Sequence, residues 1–194
     1  MKALLIMFIA AISFSACNSD NNKSAESNAG KDTTTTQPSP GNTELKNTGS
    51  VNDIVTGYLN LKNALTNDNN KNAAAAANDI SSALMKLDTS ALTADQKKLY
   101  TDLRDDIKEH TEHIGANSGD IAHQREHFDM LSKDMIDLVK ATGSSQTLYK
   151  DYCPMYNNKK GASWLSESKE IKNPYYGKKM LECGQVKEEI KARG

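Results

Sequence analysis

The chain has 194 residues, a formal net charge of −1 and a mean hydropathy of −0.66. That near-neutral balance gives no basic field to attract nucleic acid. Aromatic residues make up only 6%, so a core must rest on Leu, Ile, Val, Ala and Met. Beyond the N-terminal region there is enough chain for about one domain.

Met1 and Lys2 give a short positive start, followed by an apolar run from Ala3 to Phe14 broken only by Ser13. The run is shorter than the about 20 apolar residues of a membrane-spanning helix and reads as the core of a signal peptide. It ends in Phe14-Ser15-Ala16-Cys17, small residues before a cysteine, with Phe14 where a bacterial lipobox usually has Leu. Residues 1–17 are therefore expected to be a signal peptide with a lipobox, and Cys17 the lipidated residue. An ordinary signal peptide followed by a stray cysteine is the alternative. Acyl chains hold a protein on a bilayer by about 0.8 kcal/mol per buried methylene, so several on one cysteine anchor firmly. The precursor is then secreted and held at the cell envelope, in the periplasm or at the outer membrane.

Residues 18–49 are rich in Asn, Ser, Thr, Lys and Gly, with Pro38 and Pro40 and almost no aliphatic side chains. Such a segment cannot bury enough surface to fold. It is expected to be a disordered tether with a mean span of about 30 Å.

From residue 50 the pattern is helical. Ser50 and Asp53 suit a capping box, and Val51, Ile54, Val55, Tyr58, Leu61 and Leu65 recur at helical spacing. Asn67 to Asn70 interrupts it. A second helix runs through Ala73–Ala77, Ile80, Ala83, Leu84 and Leu87, where alanine favours helix and close packing. A third starts at Thr93 with Gln96 as its capping partner, and its stripe is Leu99, Leu103, Ile107, His110 and Ile114. Gly115 to Gly119 is the next break. A fourth begins near Asp120, turns Ile121, Phe128, Leu131, Met135, Leu138 and Val139 inward, and stops near Gly143. Four amphipathic helices joined by short connections predict an all-α fold, a four-helix up-and-down bundle over residues 50–143.

Residues 144–194 differ in texture and form one domain with the bundle as a small irregular or β C-terminal cap. Between 147 and 187 lie the single Trp, Tyr149, Tyr152, Tyr156, Tyr175, Tyr176, two Cys and two Pro, and helical periodicity does not return before Gln185. Trp164, Tyr175 and Tyr176 read as packing anchors.

Two sulfur pairs stand out here. Cys153 and Met155 are two residues apart, Met180 and Cys183 three apart in the opposite order. Folding the cap on itself would gather all four into a soft donor set suited to Cu(I). The competing reading is a Cys153–Cys183 disulfide, natural in an oxidising compartment, which would stabilise by about 3–4 kcal/mol through closing a loop of about 30 residues. Met155 and Met180 would then be core fillers. Spacing alone leaves both open.

The four histidines form a second constellation. His110 and His113 are one turn apart near the end of the third helix, His123 and His127 one turn apart near the start of the fourth. An antiparallel hairpin brings both pairs to the same tip, where imidazoles can bind Cu(II), Zn(II) or Ni(II). The plainer reading is a core histidine at 110 and solvated residues at the helix ends.

No nucleophile elbow, P-loop, dinucleotide fingerprint or H-E-x-x-H is present, and the cysteine spacing is not C-x-x-C. The chain is therefore expected not to be an enzyme and to have no small-molecule substrate.

The motifs Tyr152-Cys153-Pro154-Met155, Gly161-Ala162-x-Trp164-Leu165-Ser166 and Ile171-x-Asn173-Pro174-Tyr175-Tyr176-Gly177-x-x-Met180-Leu181-x-Cys183-Gly184 resemble the C-terminal signature of the domain-of-unknown-function 3347 family. Gln124-Arg125-Glu126-x-Phe128 and Leu131-Ser132 are similar to its helical part, so the resemblance spans roughly residues 51–190. Family members are typically secreted or lipid-anchored, and similar domains are attached to periplasmic adaptor subunits of copper/silver efflux pumps. The resemblance implies an accessory protein that binds Cu(I) or Ag(I) through Cys153, Met155, Met180 and Cys183, then buffers the metal or passes it to an efflux adaptor. The alternative is a disulfide-stapled interaction module of the envelope without metal. The resemblance adds nothing for His110, His113, His123 or His127.

Overall fold

The computed structural model describes residues 49–193. The expected signal peptide, Cys17 and nearly all of the expected tether lie outside these residues. Gly49, read from the sequence as the last residue of the tether, is already pinned. Its N–H donates to the Lys86 carbonyl at 2.9 Å, and its own carbonyl accepts from the Asp88 N–H at 3.1 Å.

Four long helices follow: α1 (Val51–Thr66), α2 (Asn70–Lys86), α3 (Ala94–Ala116) and α4 (Ile121–Thr142). Their starts are set locally. The Asp53 carboxylate accepts from both the N–H and the hydroxyl of Ser50. Asn69 caps α2 through the Asn72 N–H. Thr93 and Gln96 form the reciprocal box on α3, and Asp120 accepts from the Ala122 and His123 N–H groups on α4. Each satisfies donors that the first helical turn leaves without partners. Consecutive helices pack against each other and α4 returns to α1, giving the up-and-down order. Among the described residues no helix is long and apolar enough to cross a membrane.

The buried faces follow the expected periodicity on α1 (Ile54, Val55, Tyr58, Leu61, Leu65), α2 (Ala73, Ala77, Ile80, Leu84) and α4 (Phe128, Leu131, Met135, Leu138, Val139). On α3 the stripe is displaced. Tyr100 is buried, with its hydroxyl donating to the Leu84 carbonyl at 2.9 Å, whereas Leu99 and Leu103 are only half-buried. A ring with a reachable carbonyl fills that position better than the leucine beside it, because its polar end is satisfied as well as its apolar body.

The cap is a three-stranded antiparallel sheet of β1 (Leu148–Cys153), β2 (Ala162–Ser166) and β3 (Gln185–Ile190), in the order β2-β1-β3. Residues from Gln185 onward thus form a strand on the open edge of β1. The β1–β2 connection passes through Asn157, Asn158 and Lys159, all with φ between 49° and 66°, a conformation that Asn tolerates better than most residues.

Three features dock the sheet on the bundle. Tyr58 stacks on Phe128 (centroids 5.3 Å), Phe128 meets Tyr175 (5.6 Å), and Tyr175 meets Trp164 (5.8 Å). The Tyr58 oxygen accepts the Leu165 N–H at 3.1 Å and shares a hydrogen bond with the Ser132 hydroxyl at 2.8 Å. Arg125 on α4 uses Nε for the Pro174 carbonyl (2.7 Å) and Nη2 for the Leu65 carbonyl (2.9 Å) and Asp68 Oδ1 (2.7 Å). A Cβ at Gly177 (φ 54°) would stand 2.1 Å from Asp68 Oδ1 and 2.5 Å from Arg125 Nη2, so the cap approaches this clamp as closely as it does only with glycine there.

A charge pair with a buried lysine and an exposed glutamate lies nearby. Lys62 on α1 is 1% exposed and holds Glu167 Oε2 at 2.8 Å. Asp151 in the middle of β1 is fully buried and neither of its carboxylate oxygens has a hydrogen-bond partner. Burial pushes its pKa up to about 7, against the pull of Lys62.

Replacing Arg125 by Met leaves two carbonyls and Asp68 without their donor. Urea unfolding is expected to show a loss of about 2–4 kcal/mol, and Arg125→Lys to restore less than half of it, because one ammonium cannot span three acceptors. Asp151 makes stability pH-dependent. Its folded pKa lies above the unfolded value, so the folded chain holds a proton that the unfolded chain has released. Its contribution is complete below about pH 4 and declines as pH rises to about 7, at about 1.4 kcal/mol per pKa unit. Unfolding measured from pH 4 to 8 with chelator and reductant present should show Asp151→Asn flattening that decline; an unchanged slope would refute the assignment.

Candidate functional site

Cys153 ends β1, its register partner on β2 is Ala162, and its side chain is buried. Cys183 sits in the loop that leads into β3, and Asn173 fixes that loop. Fully buried, Asn173 takes the Tyr175 and Tyr176 N–H groups on Oδ1, donates Nδ2 to the Cys183 carbonyl at 2.6 Å, and donates its own N–H to the Leu181 carbonyl at 2.7 Å. Gly184 (φ 153°) lets the loop lie on Trp164; a Cβ there would stand 2.9 Å from the indole and 3.2 Å from the Tyr152 carbonyl.

The result is that Cys153 Sγ and Cys183 Sγ, thirty residues apart in sequence, face each other at 3.0 Å with both thiols unbonded. The separation exceeds the about 2.05 Å of a disulfide. It is shorter than the roughly 3.8 Å between two sulfurs that share a tetrahedral ion at bonds of about 2.3 Å. The pair can therefore close into a disulfide or open around an ion, and either step needs under an ångström or so of movement. The hydrogen bond to Cys153, reinforced by burial, pushes the Cys183 thiol up to about 11, so it is protonated at neutral pH. An entering metal ion would have to displace that proton.

The methionines are placed differently. Met155 is 46% exposed, and its carbonyl accepts the Tyr176 hydroxyl at 3.0 Å. Met180 is half-buried at the end of a short turn, and its carbonyl accepts the Cys183 N–H at 3.1 Å. Trp164 and Tyr175 are buried, in keeping with their reading as packing anchors; Tyr176 is half-exposed.

The four histidines do meet at the α3–α4 tip. His113 and His127 stack with centroids 4.3 Å apart and planes 4° from parallel, and His123 stands edge-on to His127 at 4.7 Å. One ring nitrogen from each of His113, His123 and His127 lies within 4.8 Å of the others. His110 Nδ1 is 3.3 Å from His127 Nδ1, and Glu126 Oε2 is 3.6 Å from His123 Nδ1. His110 and His127 are both held below the usual imidazole range. Burial is the main cause in each, aided at His127 by the three neighbouring rings. His110 is thus half-buried within this cluster, not enclosed in the core.

The contacts of Arg125 and Tyr58 were not legible in the sequence, because their partners are remote in the chain; those of Asn173 lie within ten residues of it. The one local sign was Asn173-Pro174, which reads as a turn; the buried Asx arrangement it forms is what holds Cys183.

A family described as a protein of unknown function, DUF3347, matches residues 54–147. The matched segment contains all four histidines and ends immediately before β1, so the sulfur residues of the cap lie beyond it. No curated protein and no solved structure matches the chain.

Proposed function

Because residues 54–147 belong to the DUF3347 family, we propose that the chain is an envelope-tethered accessory protein that binds a soft monovalent metal ion, Cu(I) or Ag(I), outside the cytoplasm and either buffers it or yields it to an efflux adaptor. The observation that supports this most is the meeting of two free thiols at 3.0 Å, one buried and one partly open to solvent. Thiolates are soft ligands that favour Cu(I) over hard cations. The half-buried Met180 and the exposed Met155 are the nearest thioethers in sequence and complete the proposed donor set. An ion held by such ligands can be exchanged one sulfur at a time. No bond in a substrate is made or broken.

The same 3.0 Å contact favours a second reading, a disulfide that staples the cap of an envelope interaction module. Forming it passes two electrons and two protons from Cys153 and Cys183 to a disulfide-bearing oxidant. In this reading the thiols are a fastening and no metal is involved.

Titration of the reduced protein with Cu(I) against a competing chelator decides between them. One equivalent of tight Cu(I) is expected, with Cys153→Ser or Cys183→Ser weakening it at least 100-fold and Met155→Leu about 10-fold. Equal uptake by wild type and the cysteine variants removes the metal reading. If protein taken from cells instead gains the mass of two hydrogens on reduction, the staple is the native state. The anchor is tested separately. Metabolic labelling with a fatty acid should mark the wild type and not Cys17→Ser, which should leave the membrane fraction; equal labelling would move the attachment elsewhere.

A further inference from the structure

The histidine cluster is unused by the reading above, and its geometry points to a site of its own. We propose that His113, His123 and His127 bind a divalent transition-metal ion of the borderline class, Cu(II) ahead of Zn(II), with His110 as the positioning residue for His127. The inference does not depend on the cysteines.

Three ring nitrogens from two different helices lie within 4.8 Å of one another. An ion about 2.0–2.1 Å from each imidazole nitrogen needs them about 3.4 Å apart in a tetrahedron. Side chains at the outer face of a helix tip can close that difference of roughly an ångström by rotation. His123 and His127 are one α4 turn apart, and His113 stacks on His127 at 4.3 Å, so the three donors present a face and not a line. Surrounding groups occupy the places that support a ligating imidazole. His110 Nδ1 lies 3.3 Å from His127 Nδ1, so one ring presents its lone pair to the other and His127 is oriented. Glu126 stands 3.6 Å from the Nδ1 of His123, beyond a hydrogen bond but close enough for a small rotation to bring its carboxylate to the second ring N–H.

Donor chemistry selects the ion. Three imidazoles with no thiolate and no coordinating carbonyl are a poor match for Ca²⁺ or Mg²⁺, which take oxygen. They suit Cu(II), Zn(II) and Ni(II), and among these the divalent stability order places Cu(II) first. Three protein ligands leave a position for water or for a donor carried by another molecule.

The test uses the full chain with Cys17→Ser, Cys153→Ser and Cys183→Ser, so that no thiol reduces Cu(II) or competes for Zn(II). Stripped protein is titrated with each ion against a chelator, and the Cu(II) form is read by electron paramagnetic resonance. One equivalent is expected, with hyperfine splitting from imidazole nitrogens. His123→Gln with His127→Gln should weaken binding at least 100-fold. His110→Gln should weaken it 10- to 100-fold while keeping the nitrogen signature. If the double variant loses its helical signal, the single His123→Gln, at a partly exposed position, serves instead. Affinity unchanged within about threefold in the His123 and His127 variants, or a spectrum without nitrogen splitting, overturns the site. An unaffected His110→Gln overturns the positioning role.

Discussion

The arrangement of the cap depends on one guanidinium. Arg125 projects from the first turns of α4 and divides its donors among the end of α1, the carboxylate of the α1–α2 turn and the carbonyl of Pro174. A planar fork is the side chain that can hold three acceptors in fixed directions at once. Once Pro174 is held, Asn173 and Tyr175 are held with it: Tyr175 enters the aromatic stack on Phe128, and Asn173 fixes the Cys183 carbonyl. The thiol contact is therefore the last member of a chain of placements that begins on the bundle.

The seam between bundle and cap is not purely apolar. A phenol that serves Leu165 and Ser132 and a buried lysine that holds Glu167 lie in it. Buried polar groups of this kind add little net stability but are costly to leave unsatisfied. Their effect is to permit one seating of the sheet and to penalise others. That matters more for a protein whose proposed donors come from separate segments of the cap than for one whose ligands share a helix.

What the sequence disclosed was whatever is decided locally. Ser50 with Asp53, Thr93 with Gln96, and Asp120 mark helix starts because each bond spans two or three residues. The convergence of His110, His113, His123 and His127 was legible because an antiparallel hairpin with a short turn leaves little freedom at its tip. The approach of Cys153 to Cys183 was legible only as one of two possibilities. The strand from Gln185 was not, since its conformation is set by the free edge of β1 and not by its own periodicity. Neither were Arg125, whose acceptors lie 49 to 60 residues away, or the burial of Asp151, a charged residue in a strand that alternation alone does not place. The family match covers the helices and leaves the cap outside it, so the two candidate sites stand on different ground.

Gly49 is fastened where α2 ends, and in an up-and-down bundle that is the end opposite the α3–α4 tip. At about 1.5 Å per residue, the 23 residues of α3 put roughly 30 Å between them. The molecule thus has a polarity: the chain enters at one pole and the imidazoles crown the other. A group that engaged the histidine crown would therefore approach the bundle at the pole remote from Gly49.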